Sequence, residues 1–141
     1  MPTLHVDIVK GCCTAEQKET LIMTLADTIS TTMQRPRNIV RVFINEYDPA
    51  DFSVDGYSYL RRQKELGETH TVENSDILIS VLILQGRSAE QKQELIANIT
   101  TALETNIGFK REWIRVFISD LLEDNFGNNG VSLTTKKKSA T

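Results

Sequence analysis

The chain has 141 residues, of which 40% are hydrophobic and 25% charged, and its formal net charge is -3. This length suits one domain or two very small ones, and the charge gives no electrostatic case for binding nucleic acid or an anionic membrane. No apolar run approaches the roughly 20 residues that span a bilayer, and the N-terminus lacks the basic region and apolar core of a signal peptide. We therefore expect a cytoplasmic protein, with neither nucleic acid nor a membrane among its partners.

The first predicted element is a strand over Thr3–Val9, and Pro2 stands immediately before it. A small second residue such as proline usually permits removal of the initiator methionine. The mature chain would then begin with a secondary amine, which can act as a base or nucleophile without any side chain. The competing interpretation is that the proline only sets the start of the strand. Within the strand, His5 alternates with apolar neighbours, so we expect it to be a packed or interface residue.

The two cysteines, Cys12 and Cys13, are adjacent in sequence and cannot link distant parts of a fold. No CxxC motif or histidine cluster accompanies them, so they do not predict a zinc site. A helix start lowers the pKa of a thiol, which could make them reactive. The interpretation we favour is that they fill space.

A helix is predicted next, beginning at the capping box Thr14-x-x-Gln17. In such a box the hydroxyl accepts from first-turn amides while the glutamine reaches back to the cap residue. Apolar residues then recur at helical spacing and form one stripe that can cover a sheet: Leu21, Ile22, Leu25, Ile29 and Met33. Pro36 ends this helix, and a second strand is predicted over Ile39–Asn45.

The same pattern occurs a second time in the chain. The segment TAEQKETL at 14–21 reappears as SAEQKQEL at 88–95, and 88 − 14 = 74. The segment RVFI at 41–44 reappears unchanged at 115–118, and 115 − 41 = 74. A constant offset across several elements indicates two copies of one structural unit.

The second copy has a predicted strand over Ile77–Leu84, a helix that starts at Ser88-x-x-Gln91 and ends at Gly108, and a strand over Trp113–Ser119. Its helical stripe consists of Leu95, Ile96, Ile99, Leu103 and Ile107. Two strands joined through a helix of this length should be parallel. Two such units side by side predict an α/β protein (α+β in some schemes): tandem β-α-β units that form a four-stranded sheet with two helices on one face. The other face keeps apolar residues, so we expect it to pack against other subunits.

The remaining segments are polar. Residues 57–75 are charged and are interpreted as a linker between the units, with room for a short helical turn, and the lysine-containing C-terminus is expected to be frayed. The predicted division is a first unit at 1–56, a linker at 57–75, a second unit at 76–133 and a polar tail at 134–141.

These motifs together resemble a known family. Pro2, the segment GRSAEQK at 86–92, RVFI at 115–118 and the pattern FGxxG at 126–130 are similar to 4-oxalocrotonate tautomerase, here with two units fused into one chain. The resemblance implies the tautomerase/MIF-like fold and a homotrimer, since proteins of this kind assemble as trimers when each chain holds two units. It implies no metal and no organic cofactor.

The resemblance also implies a mechanism. In the family the amine of the N-terminal proline is a general base, which moves a proton between positions beside a carbonyl and so converts an enol or dienol into a conjugated ketone. An apolar pocket lined by cations disfavours the ammonium form of this amine. Arginines bind substrate carboxylates with a planar fork and stabilise the developing enolate.

These family roles can be assigned to residues of this chain in one unit but not always in the other. Pro2 matches the base, and only the first unit has it. The arginine that follows the first strand is Arg87 in unit two. In unit one, where we take the first strand to be one residue longer, Cys12 or Cys13 holds that place. The Pro2 pocket is therefore complete only if unit two supplies the arginine, and we expect three active sites per trimer rather than six.

Two further substrate-binding positions are each present twice. The second-strand arginine is Arg41 or Arg115, and the sequence leaves open which of them lines the Pro2 pocket; either could instead be a structural ion-pair partner. The hydrophobic pocket residue is Phe52 or Phe126, and each is as compatible with the core as with a pocket.

The resulting hypothesis is an isomerase that acts on small carboxylated enols or dienols of the 2-hydroxymuconate or phenylenolpyruvate type. An alternative in the same superfamily is a hydrolytic dehalogenase of 3-haloacrylates, in which a carboxylate activates water and a second arginine lies close to the first. The chain has Leu84 where that arginine would stand, although the segment EDNF at 123–126 offers carboxylates. A further alternative is a trimeric binding protein without catalytic activity.

Overall fold

The computed structural model describes residues 2–140 of the chain. The strands and helices are, in chain order, β1 (Thr3–Val9), α1 (Ala15–Met33), β2 (Arg41–Tyr47), β3 (Ser53–Val54), β4 (Tyr57–Ser58), α2 (Tyr59–Leu66), β5 (Ile77–Leu84), α3 (Ala89–Asn106), β6 (Ile114–Leu121), β7 (Gly127–Asn128), β8 (Val131–Ser132) and α4 (Leu133–Ala140). No helix among these residues is long and apolar enough to cross a membrane.

The four long strands form one sheet in the order β2-β1-β5-β6. Within each unit the two strands are parallel, and β1 pairs with β5 in the antiparallel direction at the centre of the sheet. The helices α1 and α3 contact each other and share one core with the sheet. The predicted fold class, tandem β-α-β units with two helices on one face, is therefore confirmed.

The two faces of the sheet differ in exposure. Every second residue of the central strands points to the helices, so that Leu4 and Ile79, for example, are fully buried. On the other face, Phe43 and Phe117 are 49% and 50% exposed in the subunit. His5 stacks on Phe43, with ring centroids 5.2 Å apart. This face keeps aromatic surface that a single subunit does not bury.

Both predicted capping boxes are formed. The Thr14 hydroxyl accepts from the Gln17 amide at 3.0 Å, while the Gln17 side chain accepts from the Thr14 amide at 2.8 Å. Ser88 and Gln91 repeat the arrangement at 3.1 and 2.9 Å. These bonds satisfy first-turn amides that have no partner inside the helix, so they fix where each helix begins.

The strand register shows where the two units differ in length. Thr3 lies opposite Arg41, and Leu78 lies opposite Arg115. The second strands keep the offset of 115 − 41 = 74, but the first strands are offset by 78 − 3 = 75. The expectation that the first strand is longer in unit one is wrong, because β1 has seven residues and β5 has eight.

The extra residue of unit one lies in the loop between the first strand and the helix. Gly11 and Gly86 each stand two residues after the strand and share a positive φ, of 97° and 119°. Between this glycine and the capping residue, unit one has two residues, Cys12 and Cys13, whereas unit two has only Arg87. Pro2 consequently corresponds in space to Ile77.

The second strands begin later than predicted. The sequence suggested Ile39–Asn45 and Trp113–Ser119, whereas β2 begins at Arg41 and β6 at Ile114. A single 3-10 turn precedes each strand, as in Arg37–Ile39, where the Val40 amide donates to the Arg37 carbonyl at 3.1 Å. This local hydrogen bond holds in a turn the residues that the sequence assigned to the start of the strand.

The segments interpreted as linker and tail contain a further repeat. Helix α2 starts at Tyr59 and α4 at Leu133, and 133 − 59 = 74. The expectation of a frayed tail is therefore wrong. The Leu133 amide donates to the Phe126 carbonyl at 2.8 Å, and the Ser132 hydroxyl accepts from the Thr135 amide at 3.0 Å. These bonds anchor α4 against the second unit, so the repeat continues past residues 56 and 133.

Candidate active site

Pro2 lies on a surface cavity of about 590 Å³. The wall combines the start of β1, the ends of α1 and β5, the start of α3, the turn before β7 and helix α4. Its residues are Pro2, Met33, Arg35, Ile39, Leu84, Gln85, Gly86, Arg87, Gln91, Glu123, Phe126, Leu133 and Lys137. Both units thus contribute to one cavity, with Pro2 from the first and Arg87 and Phe126 from the second.

The position of Pro2 is fixed by the sheet. Pro2 is buried, and its carbonyl accepts from the Arg41 amide at 3.1 Å, one step before the β1–β2 ladder begins. Removal of Met1, on which a free amine at Pro2 depends, lies outside the described residues.

Arg87 is half-buried on the loop between β5 and α3. Its Nη2 donates to the Met33 carbonyl, at the end of α1, over 3.2 Å. A cation is stabilised at a helix C-terminus, where carbonyl groups lack intrahelical partners. The bond holds the guanidinium at the cavity wall and uses only one of the five N–H groups that an arginine carries.

The two phenylalanines have different surroundings. Phe126 is half-buried and lines the Pro2 cavity. Phe52 is only 9% exposed and packs edge-on against Tyr59, with ring centroids 5.1 Å apart. Of the pair that the sequence offered, Phe126 is the one beside Pro2 in this subunit.

Neither second-strand arginine lines the Pro2 cavity of its own subunit. Arg41 is exposed, and its Nη1 donates to the Asn38 carbonyl at 2.8 Å. Arg115 pairs with Asp76 at 3.3 Å and lies on a separate cavity of about 420 Å³. The structure of one subunit therefore brings Pro2, Arg87 and Phe126 to one cavity wall, and the side chains of Arg41, Arg115 and Phe52 are not part of that wall.

The place in unit two that corresponds to the Pro2 cavity is filled by side chains. Ile77, the counterpart of Pro2, is fully buried. Tyr59 stacks on His70 with ring centroids 4.1 Å apart, and its hydroxyl accepts from the Asp76 amide at 3.0 Å. His70 is held in turn by Gln63, at 3.3 Å from Nδ1. A depression of about 270 Å³ lies beside Tyr59, His70 and Asp76.

The cysteine pair is buried in the core. The sulfur atoms of Cys12 and Cys13 lie 3.6 Å apart and share a hydrogen bond. This bond, followed by burial, raises the pKa of Cys12, and the same bond lowers the pKa of Cys13. Cys12 and Cys13 are absent from the Pro2 cavity wall and occupy the place in unit one where unit two has Arg87.

Sequence reasoning missed two charged residues of the cavity, Arg35 and Lys137, and noted Glu123 only as one of the carboxylates at 123–126, without a position. Arg35 follows the end of α1, while Glu123 and Lys137 meet through an ion pair of 2.5 Å. The available signal for Lys137 was the constant offset of the repeat, since position 137 corresponds to Gln63 in the other short helix. That signal was hidden because the two short helices share little sequence.

Comparison with known proteins identifies the family. The model of the Tautomerase family, described as tautomerase enzyme, matches residues 2–59 and again residues 78–136. The chain belongs to the tautomerase family. The two matches confirm that it is a fused two-unit chain.

Curated relatives of the chain are short proteins. A probable tautomerase of Staphylococcus haemolyticus is 39% identical over 54 residues, which are 38% of this chain and 87% of that protein. A probable tautomerase of Staphylococcus epidermidis is 37% identical over 54 residues, with 38% and 88% covered.

Solved structures extend the similarity to the whole chain. A wild-type fused 4-OT described as a symmetric trimer has a TM-score of 0.77 at 26% identity, with 95% of this chain and 98% of that chain covered. A member of the cis-3-chloroacrylic acid dehalogenase family has a TM-score of 0.75 at 20% identity, with 99% and 91% covered, which shows a common fold.

The filled site in unit two makes stability sensitive to alkaline pH. Burial is the main cause that raises the pKa of Tyr59 above its ordinary value of 10.0. Above pH 10 the unfolded chain loses this phenolic proton while the folded chain keeps it, so the free energy of unfolding falls until the folded pKa is reached. Denaturation from pH 8 to 11 should show a smaller decline in Tyr59→Phe. The control Tyr57→Phe, at an exposed tyrosine, should keep the wild-type decline, and identical slopes in all three proteins would contradict the prediction.

Proposed function

We propose that this tautomerase is a cofactor-independent isomerase, in which the Pro2 amine is the general base for keto-enol tautomerisation of small carboxylated enols or dienols. Substrates of the 2-hydroxymuconate or phenylenolpyruvate type fit the proposal. The observation that supports it most is that Pro2, Arg87 and Phe126 line one cavity although they come from opposite halves of the chain.

The surroundings of Pro2 suit a neutral amine. Arg35, Arg87 and Lys137 line the cavity with a single carboxylate, Glu123, against them. Nearby positive charge disfavours the ammonium form, and apolar walls disfavour it further. After removal of Met1, the amine can then accept a proton near neutral pH, where a general base is most effective.

The proposed reaction moves one proton. The Pro2 nitrogen takes the proton from the enol hydroxyl, and the electron pair of the broken O–H bond forms the ketone C=O. The C=C electron pair of the former enol or dienol shifts to a carbon and takes the proton back from the nitrogen, so a C–H bond forms and the amine is regenerated. Arg87 binds the substrate carboxylate and stabilises the negative charge that develops between the two steps.

The exposed aromatic face of the sheet supports assembly. Phe43 and Phe117 lie about half exposed on it, and the similar fused 4-OT is a trimer. We propose a homotrimer in which this face is covered and an adjacent subunit brings Arg41 or Arg115 to the Pro2 cavity. Because the corresponding place in unit two is filled, the trimer would have three active sites.

Water addition to a 3-haloacrylate is a second candidate. The observation in its favour is that Glu123 lines the Pro2 cavity, where a carboxylate could activate water. Its carboxylate is already paired with Lys137 at 2.5 Å, and water would have to compete with the lysine for it. Leu84, also on the cavity wall, stands where that chemistry requires its second arginine. Release of halide from 3-chloroacrylate, at a rate above that of ketonisation, would favour this candidate.

The role of Pro2 is tested by Pro2→Ala. The rigid secondary amine is lost, so kcat/KM for ketonisation should fall by about 100-fold or more, in the range of a general base. The assay follows loss of enol absorbance, and intact mass must show removal of Met1 in both proteins. Pro49→Ala, at a proline outside the cavity, is the matched control. Equal rates for wild type and Pro2→Ala would refute the base role, whereas the absence of ketonisation by the wild type would leave a binding protein as the alternative.

The role of Arg87 is tested by a pair of substitutions. Arg87→Ala should raise KM for carboxylated substrates by about tenfold or more, because a charge-assisted, bidentate contact is lost, and Arg87→Lys should restore part of the affinity. Arg61→Ala, at an exposed arginine of α2, should leave KM unchanged. If Arg87→Ala changed only thermal stability, through loss of the bond to Met33, the arginine would be a helix cap alone.

A further inference from the structure

Helix α4 forms one wall of the Pro2 cavity, through Leu133 and Lys137. These residues are four positions apart, so they lie on the same face of the helix. The helix is anchored at its first residue, because the Leu133 amide donates to the carbonyl of Phe126, itself a cavity residue, at 2.8 Å. Lys137 is therefore held one turn beyond a fixed point, and its side chain borders the cavity.

Lys137 has an anionic partner that it can exchange. Its Nζ lies 2.5 Å from Oε1 of Glu123, and the two side chains are 60% and 36% exposed. An ion pair this exposed contributes little to folding, since water screens it and two side chains must be ordered. A ligand carboxylate can replace Glu123 at small cost, so the pair keeps the lysine in position for a ligand.

The cations of the cavity lie on different walls. Arg87 is fixed to the end of α1 by its bond to Met33, while Lys137 comes from α4. A single carboxylate on Arg87 does not engage Lys137, which can exchange Glu123 for a second anionic group. At the filled place beside Ile77, the position that corresponds to Lys137 is held by Gln63 of α2, an uncharged residue bonded to His70. The lysine is thus present only beside the cavity that contains Pro2.

We propose that Lys137 determines specificity by binding a second substrate carboxylate, the one that Arg87 does not hold, so that the Pro2 site prefers dicarboxylates. The proposal rests on the proposed function for the identity of the site and adds a residue from the C-terminal helix to it.

Muconate and sorbate test the proposal, because they share a six-carbon diene skeleton and differ by one carboxylate. Both are used as competitive inhibitors of ketonisation and, independently of turnover, as ligands in calorimetry. Lys137→Gln should weaken muconate binding by about tenfold and change sorbate binding less than twofold. Lys136→Gln, one residue away and off the cavity, is the matched control and should change neither. Equal loss for both ligands, or no loss for either, would overturn the proposal.

A second variant separates the lysine from its ion pair. Glu123→Gln removes the competing carboxylate and leaves Lys137 in place, so muconate binding should be retained or become tighter by a few fold. A loss as large as that of Lys137→Gln would mean that the pair is structural and would overturn the proposal. Circular dichroism of all variants checks that α4 persists.

The outcomes for function and for specificity are distinguishable. If Pro2-dependent ketonisation is present but Lys137→Gln does not alter the muconate-to-sorbate ratio, the specificity proposal fails and the proposed function stands. If the wild type does not ketonise either type of enol, yet calorimetry shows the tenfold loss of muconate binding, the proposed function fails and Lys137 is still the residue that recognises a dicarboxylate.

Discussion

The antiparallel pairing of β1 with β5 is the interaction on which the rest of the site depends. Thr3, at the start of β1, lies opposite Leu82, near the end of β5. Because antiparallel strands bring the start of one to the end of the other, Pro2 meets the loop that carries Arg87. Neither unit has this neighbour within itself, so a β-α-β unit alone cannot form the cavity.

The same pairing creates two places with equivalent backbone topology, one beside Pro2 and one beside Ile77. The proposed site occupies only the first. At the first, Pro2 borders open space beside Phe126 and Leu133. At the second, Ile77 is buried beneath the counterparts Phe52 and Tyr59, which pack against each other. Duplication made the two backbones alike, and the two places differ in their side chains, since Tyr59 fills the second place where the first has Leu133.

The loop before α1 shows how the two units have diverged. Two buried cysteines stand where unit two has one arginine, and the additional residue shifts the first strand by one position relative to the helix. Since side chains alternate between faces along a strand, a one-residue shift decides which of them face the core. The buried Ile77 therefore takes the place of Pro2 in unit two, whereas the offset of 74 that the helices share would give Asp76.

Much of the fold followed from local patterns, because capping boxes and apolar stripes act over a few residues. Thr14 and Ser88 marked the helix starts, and both caps are formed as predicted. The helix α4 was missed, and α2 was expected only as a short turn, because both are polar and α4 is held by contacts to distant residues, such as the bond from Leu133 to Phe126. Lys137 was missed for the same reason. Arg41 and Arg115 could not be assigned, since their surroundings depend on subunit contacts that sequence patterns do not encode.

The most direct test of one proline-based site per chain is covalent labelling with 2-oxo-3-pentynoate, which inactivates a structurally similar protein. Intact mass and peptide mapping would be followed together with residual activity. The account predicts one adduct per chain, on the nitrogen of Pro2 at a mature N-terminus, in proportion to the activity lost. Loss of activity with Pro2 unmodified, or with Met1 retained on every chain, would contradict it.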